Sequence, residues 1–148
     1  HIVSASKIPH KWKIFHDNLG WNYRMPNINA ALGYAQIIRI NKTLKLKRKI
    51  ANNYYKYFKK SKKIDFMSEP KNTRSNYWLN TININCNSYK VRNKVLNELN
   101  DYGYNCRPAW TLLHKLPIYI KNEKSDLSNS IFLEKNLINL PSSPNIKL

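Results

Sequence analysis

The sequence predicts an α+β layer, with helices on one face of a small sheet. Two observations carry this expectation. Between Asn27 and Pro70 the only helix breaker is Gly33, while Ile37, Ile40, Leu44, Ala51, Tyr54, Tyr55 and Phe58 recur at helical steps. Downstream, Tyr77-Trp78-Leu79-Asn80-Thr81-Ile82-Asn83-Ile84 alternates with a period of two, and helical and strand patterns then take turns. The expected order is long helix, strand, helix, strand, helix, strand.

Residues 1–26 read as irregular, punctuated by Pro9, Gly20 and Pro26. Asn27 or Asn29 can cap a helix expected over Ile28 to Phe58, whose lysine run from Lys42 to Lys63 would occupy the solvated face. Lys59 to Ser75 is polar and expected to be a loop. The alternating strand puts Tyr77, Leu79 and Thr81 on one uncharged side. Ser88 is placed to cap a helix carrying Val91, Val95, Leu96 and Leu99, closed by Gly103 in the left-handed conformation. A short strand is expected around Asn105–Arg107, stopped by Pro108. Ser125 or Asp126 would open the last helix, with Leu127, Ile131 and Leu137 inward, before a strand over Ile138–Leu140 that Pro141 halts.

A length of 148 residues allows one domain, or a small domain with part of another. Its start, His1-Ile2-Val3-Ser4, has neither an initiator Met nor a signal pattern and reads as the cut edge of a fragment. No run of about 18 apolar residues is present, so no membrane partner is expected. The net charge of +18 raises a basic nucleic-acid-binding module as one reading. Composition argues against it. There are 20 Lys, 22 Asn and 16 Ile against 6 Arg, the bias of A/T-rich codons, and Arg is the better fork for bases and phosphates. Cys86 and Cys106 make no disulfide framework, and the four histidines lack metal-ligand spacing. A reduced cytoplasmic protein without a metal is expected.

Two segments concentrate groups suited to binding. His16-Asp17-Asn18-Leu19-Gly20-Trp21-Asn22-Tyr23-Arg24-Met25-Pro26 puts an amide and a guanidinium in one loop before a helix start, where an anion can be gathered. The simpler alternative is an ordinary capped loop, since no GxxxxGK phosphate loop is present. Arg107-Pro108-Ala109-Trp110-Thr111-Leu112-Leu113-His114 offers a cation, an indole and an imidazole after a strand. Taken singly, neither segment separates a binding loop from ordinary surface.

Together they are specific. His16-Asp-x-x-Gly20-x-Asn22-Tyr23-Arg24-Met25-Pro26, followed by Ala30-Ala31-Leu32-Gly33-x-Ala35-Gln36, resembles the hallmark of the DegT/DnrJ/EryC1/StrS sugar aminotransferases. Ser75-Asn76-Tyr77-Trp78-Leu79-Asn80-Thr81-Ile82, Arg107-Pro-x-Trp110-x-Leu-Leu-His114-x-Leu-Pro117-x-Tyr119 and Ile138-Asn139-Leu140-Pro141-Ser142-Ser143 are similar to that family's later motifs, in order. One departure is Trp21, where Tyr is usual before the Asn.

The resemblance implies the C-terminal part of a fold-type-I enzyme dependent on pyridoxal 5'-phosphate (PLP). Residues 1–27 would end the large domain, 28–60 would form a bridging helix, and 61–148 a small α+β domain with a short, mainly antiparallel sheet. It further implies a nucleotide-linked 4-keto-6-deoxy sugar as substrate, on bacillosamine, legionaminic acid or perosamine routes, and glutamate as amino donor. Asn22 and Arg24 would bind the cofactor across a homodimer, and Arg24, Arg107, Trp110 and His114 would face the substrate. The family's Schiff-base lysine lies upstream of the matched segment. No catalytic residue is therefore assigned here, and the chain alone is expected to be inactive. A non-catalytic degenerate paralogue is the other alternative.

Overall fold

The computed structural model describes residues 25–146. Two compact units divide the chain, His1–Ile40 and Asn41–Leu148. Helix α1 runs over Asn27–Phe58, within a residue of the stretch its spacing predicts. Its first described residues, up to Ile40, are exposed.

In the second unit the elements follow as β1 (Asp65–Phe66), β2 (Asn80–Asn83), α2 (Tyr89–Asp101), β3 (Arg107–Pro108), α3 (Ser128–Asn136) and β4 (Leu137–Leu140). Short 3-10 turns at Leu113–Lys115 and Pro117–Tyr119 lie between β3 and α3. The four strands lie in the order β1-β2-β4-β3, and every pair is antiparallel. In the central pair Thr81 faces Asn139 and Ile82 faces Ile138. Ile82, Leu96, Cys106, Ile138 and Leu140 form the buried core, with Tyr54 and Phe58 of α1 and Val95 and Leu99 of α2 packed against it.

Both ends of α2 follow the sequence signals. The Ser88 hydroxyl accepts the Val91 N–H at 3.4 Å, supplying one of the donors a helix start leaves free. At the other end Gly103 has φ +85°. Its N–H bonds the Asn100 carbonyl at 2.8 Å, and the next N–H, from Tyr104, bonds Leu99 at 3.0 Å. This paired closure depends on a residue that tolerates the left-handed region.

Six expectations are corrected. The alternating segment becomes a strand only from Asn80, because Tyr77 has φ +46°. Polar side chains take over the backbone there: Ser75 Oγ accepts the Tyr77 N–H at 3.0 Å and Asn76 Oδ1 the Trp78 N–H at 2.9 Å. The buried side of β2 carries Asn80 and Ile82, not Thr81. Ser142 Oγ accepts from both Asn80 nitrogens, at 2.8 Å and 3.0 Å, which satisfies the donors of this buried residue, while its Oδ1 finds no partner among the described residues.

The stretch expected to be a loop before Ser75 contains β1, whose two residues are too few to show a period. Strand β3 starts at Arg107, after the Cys106 carbonyl that Asn100 Nδ2 holds at 3.0 Å, and it includes Pro108, which an edge strand tolerates. Helix α3 starts later than expected. Asp126 still serves its first turn, accepting the Ser128 N–H at 3.0 Å and hydroxyl at 2.8 Å. Leu137 belongs to β4. Cys86 and Cys106 are free.

Candidate functional site

A cleft of about 900 Å³ opens beside β3 and β4, with Trp78, Arg107, Trp110, Ser142 and Ser143 among its lining. Strand β3 places Arg107 opposite Asn139 of β4. Asn139 also joins the strands laterally: its Oδ1 accepts the Thr81 hydroxyl at 2.7 Å and its Nδ2 donates to the Pro108 carbonyl at 3.2 Å. Edge strand β3 is thereby fixed by more than its two-residue ladder, and the residues that follow it inherit a defined start.

Trp110 leaves that strand and lies against Trp78, with ring centroids 6.0 Å apart and planes 28° apart. The structure thus brings Arg107 and Trp110 to one cleft and adds Trp78. His114 does not line it. It lies half-buried on the first 3-10 turn. Asn22 and Arg24 lie outside the described residues.

Two polar networks hold the cleft walls. On one side Lys47 of α1 donates to the Ser142 carbonyl at 2.7 Å and to the Trp78 carbonyl at 3.3 Å. Partial burial pushes its ammonium pKa down, but two carbonyls compensate part of the lost hydration. Nearby, Arg48 forks onto Glu69 at 2.9 Å and 2.5 Å and onto the Ser75 carbonyl at 2.7 Å. The Arg48 fork, helped by the Ser75 N–H at 2.6 Å, holds the Glu69 carboxyl down at about 2. This latch fixes the loop whose left-handed Tyr77 precedes Trp78.

On the other side sits Glu134, a carboxylate only 6% exposed. It accepts from the Lys115 ammonium, from the Tyr89 hydroxyl at 2.6 Å and from the Leu112 N–H at 3.3 Å. Burial works against its charge, and the Lys115, Tyr89 and Leu112 donors outweigh that, leaving its pKa below the ordinary value. Arg92 adds a bond to the Glu134 carbonyl and lies over the Tyr89 ring. The segment from Trp110 to Lys115 is therefore tied to α3 and α2.

Sequence reading missed Trp78, Lys47 and Glu134 as site-forming residues. Ser75 and Asn76, both turn formers, were the available sign that Trp78 leaves the strand. Lys47 looked like one of many surface lysines, and nothing in the sequence marks Glu134.

The family model described as the DegT/DnrJ/EryC1/StrS aminotransferase family matches residues 3–148. The GDP-perosamine synthase of Escherichia coli O157:H7 is 32% identical over 133 residues, covering 89% of this chain and 35% of that protein. The GDP-perosamine synthase of Vibrio cholerae is 32% identical over 137 residues, covering 90% and 36%. The chain thus spans about a third of the length of these curated relatives. Among solved structures, Spr1654 of Streptococcus pneumoniae in its PLP form superposes with a TM-score of 0.81 at 25% identity, covering 99% of this chain and 38% of that one. Helicobacter pylori PseC shares the fold, with a TM-score of 0.83 at 18% identity, covering 95% and 38%.

Proposed function

Because the chain belongs to the DegT/DnrJ/EryC1/StrS aminotransferase family, we propose that it is the C-terminal part of a PLP-dependent enzyme that aminates a nucleotide-linked 4-keto-6-deoxy sugar. Glutamate is the proposed donor, and surface polysaccharide or glycan is the proposed destination of the amino sugar. The observation that carries this reading is the meeting of Arg107 and Trp110 in one cleft, within a match that spans residues 3–148. The two GDP-perosamine synthases support a nucleotide-linked sugar as the substrate class. In this reading residues 1–27 close the large domain, 28–60 bridge, and 61–148 form the small domain of a cytoplasmic homodimer.

PLP, when bound, supplies the electron sink on which amino-group transfer depends. Asn22 and Arg24 would hold its phosphate, Arg24 with a planar fork of N–H groups and Asn22 with an uncharged amide. That donor set fits an anion, and in the proposed dimer it serves the partner subunit's site. Arg107 supplies a cation for the substrate diphosphate, Trp110 an apolar face for a ring, and His114 a polar group from the adjoining turn. Lys47 and Glu134 keep those groups in place without touching substrate. The lysine that carries the cofactor would come from sequence preceding His1, so the chain by itself would not transaminate.

Two measurements test the reading. Given PLP and then borohydride, the isolated chain is expected to show no single modified lysine in peptide mass mapping, and one dominant site would overturn the assignment of the lysine. Expressed with the coding sequence upstream of His1, it is expected to convert a GDP- or UDP-linked 4-keto-6-deoxy sugar to its amino sugar at the expense of glutamate. A folded, PLP-loaded protein that forms no amino sugar would overturn the activity.

A further inference from the structure

We propose that Trp78 and Trp110 form one stacking face for the planar base of a nucleotide, with Arg107 beside them to receive the attached phosphates. The proposal rests on the nucleotide-linked substrate argued above and adds to it the part of the substrate recognised here.

The indoles are 32 positions apart in sequence, yet they lie stacked at 6.0 Å while staying 66% and 69% exposed. Neither belongs to the buried core. Large apolar groups left in water and yet held in a fixed pair are typical of a ligand surface. Both are also held by groups other than their own rings. Trp78 follows the left-handed Tyr77, a conformation that a non-glycine residue keeps only when its surroundings enforce it. Those surroundings are present: Phe66 stacks on the Tyr77 ring at 6.3 Å, Arg48 lies 5.5 Å from its centre, and the Glu69 N–H donates to its hydroxyl at 3.2 Å. Lys47 fixes the Trp78 carbonyl. Trp110 is bracketed by Arg107–Pro108 in the sheet and by the Leu112 N–H on Glu134.

The neighbouring charge selects the ligand. An indole face takes a nucleobase or the apolar face of a sugar ring alike. Arg107, exposed in the same cleft, favours a ring that carries phosphate, and a planar base matches a planar indole over its whole area.

The experiment is titration calorimetry of the chain with GDP, UDP, inorganic pyrophosphate and free L-fucose. GDP is expected to bind more tightly than pyrophosphate. Trp78→Ala is expected to weaken GDP by about fivefold or more, the range of a lost base–aromatic stack, with pyrophosphate unchanged. Trp78→Phe keeps a ring and is expected to restore most of the GDP affinity, which separates stacking from any loss of fold. Arg107→Ala is expected to weaken GDP and pyrophosphate together. Equal binding of GDP and pyrophosphate, a Trp78→Ala protein that binds GDP as before, binding of fucose in preference to nucleotides, or no nucleotide binding at all would each overturn the stacking face. The aminotransferase reading would still stand or fall on the amino-sugar assay.

Discussion

The two halves of helix α1 share one sequence pattern and differ in what meets it. In the stretch up to Ile40, Ile28, Leu32, Tyr34, Ile37 and Ile38 are all more than 60% exposed. Past Asn41, Ile50 and Ala51 are 4% and 2% exposed. There Tyr54 and Phe58 pack on the core, and Lys47 and Arg48 each bind backbone or side chains of distant loops. Apolar spacing at helical intervals therefore announces a face to be covered, not what covers it. In the second half the cover is the sheet domain. In the first, the apolar residues stay exposed.

The contrast can be broken by paired substitutions. Ile50→Ala is expected to destabilise the 41–148 unit by about 3 kcal/mol, the cost of a buried truncation. Ile37→Ala should change it by no more than about 0.5 kcal/mol. Chemical denaturation of the two variants measures both, and equal losses would erase the distinction. A smaller effect is expected at Lys47→Met, which keeps the stem but deletes two donor contacts, at about 1 kcal/mol. The exposed Lys45→Met serves as its control in the same assay.

The gentlest probe is pH. The Glu69 carboxyl is held at about 2, against an ordinary 4.5, so its latch with Arg48 favours the fold fully above the ordinary value. That contribution is lost as pH falls from about 4.5 toward 2. Melting temperature followed over this window is expected to fall less steeply in Glu69→Gln than in the parent. Parallel curves would show that the latch contributes nothing.

These contrasts also mark what was legible in the sequence. Helix α1, the Ser88 cap and the Gly103 closure depend on local chemistry, since each is decided by residues within a turn or two. Leu79 and Tyr77 satisfied the strand pattern equally well, yet they lie outside β2 because Ser75 and Asn76 capture the neighbouring N–H groups. Strand β1 exists only through its pairing with β2, a contact that its two residues cannot announce. The site divides in the same way. Arg107 and Trp110 were legible as one segment. Trp78 becomes their neighbour only through the fold, and Glu134 acts through Leu112 and Lys115, about twenty positions away. Partners so distant leave no periodic trace.

The sheet has one further property, set by the lengths of its strands. Its middle pair runs four residues each, while both outer strands, Asp65–Phe66 and Arg107–Pro108, run only two. One rim begins with a carboxylate and the other ends with a proline, which has no N–H to offer. An incoming extended chain would find little on either side to zip onto. Clumping of this protein would then proceed through exposed side chains, foremost the apolar residues before Ile40, and would be promoted by salt that screens its +18 charge. Such aggregates would be amorphous and not built of stacked strands.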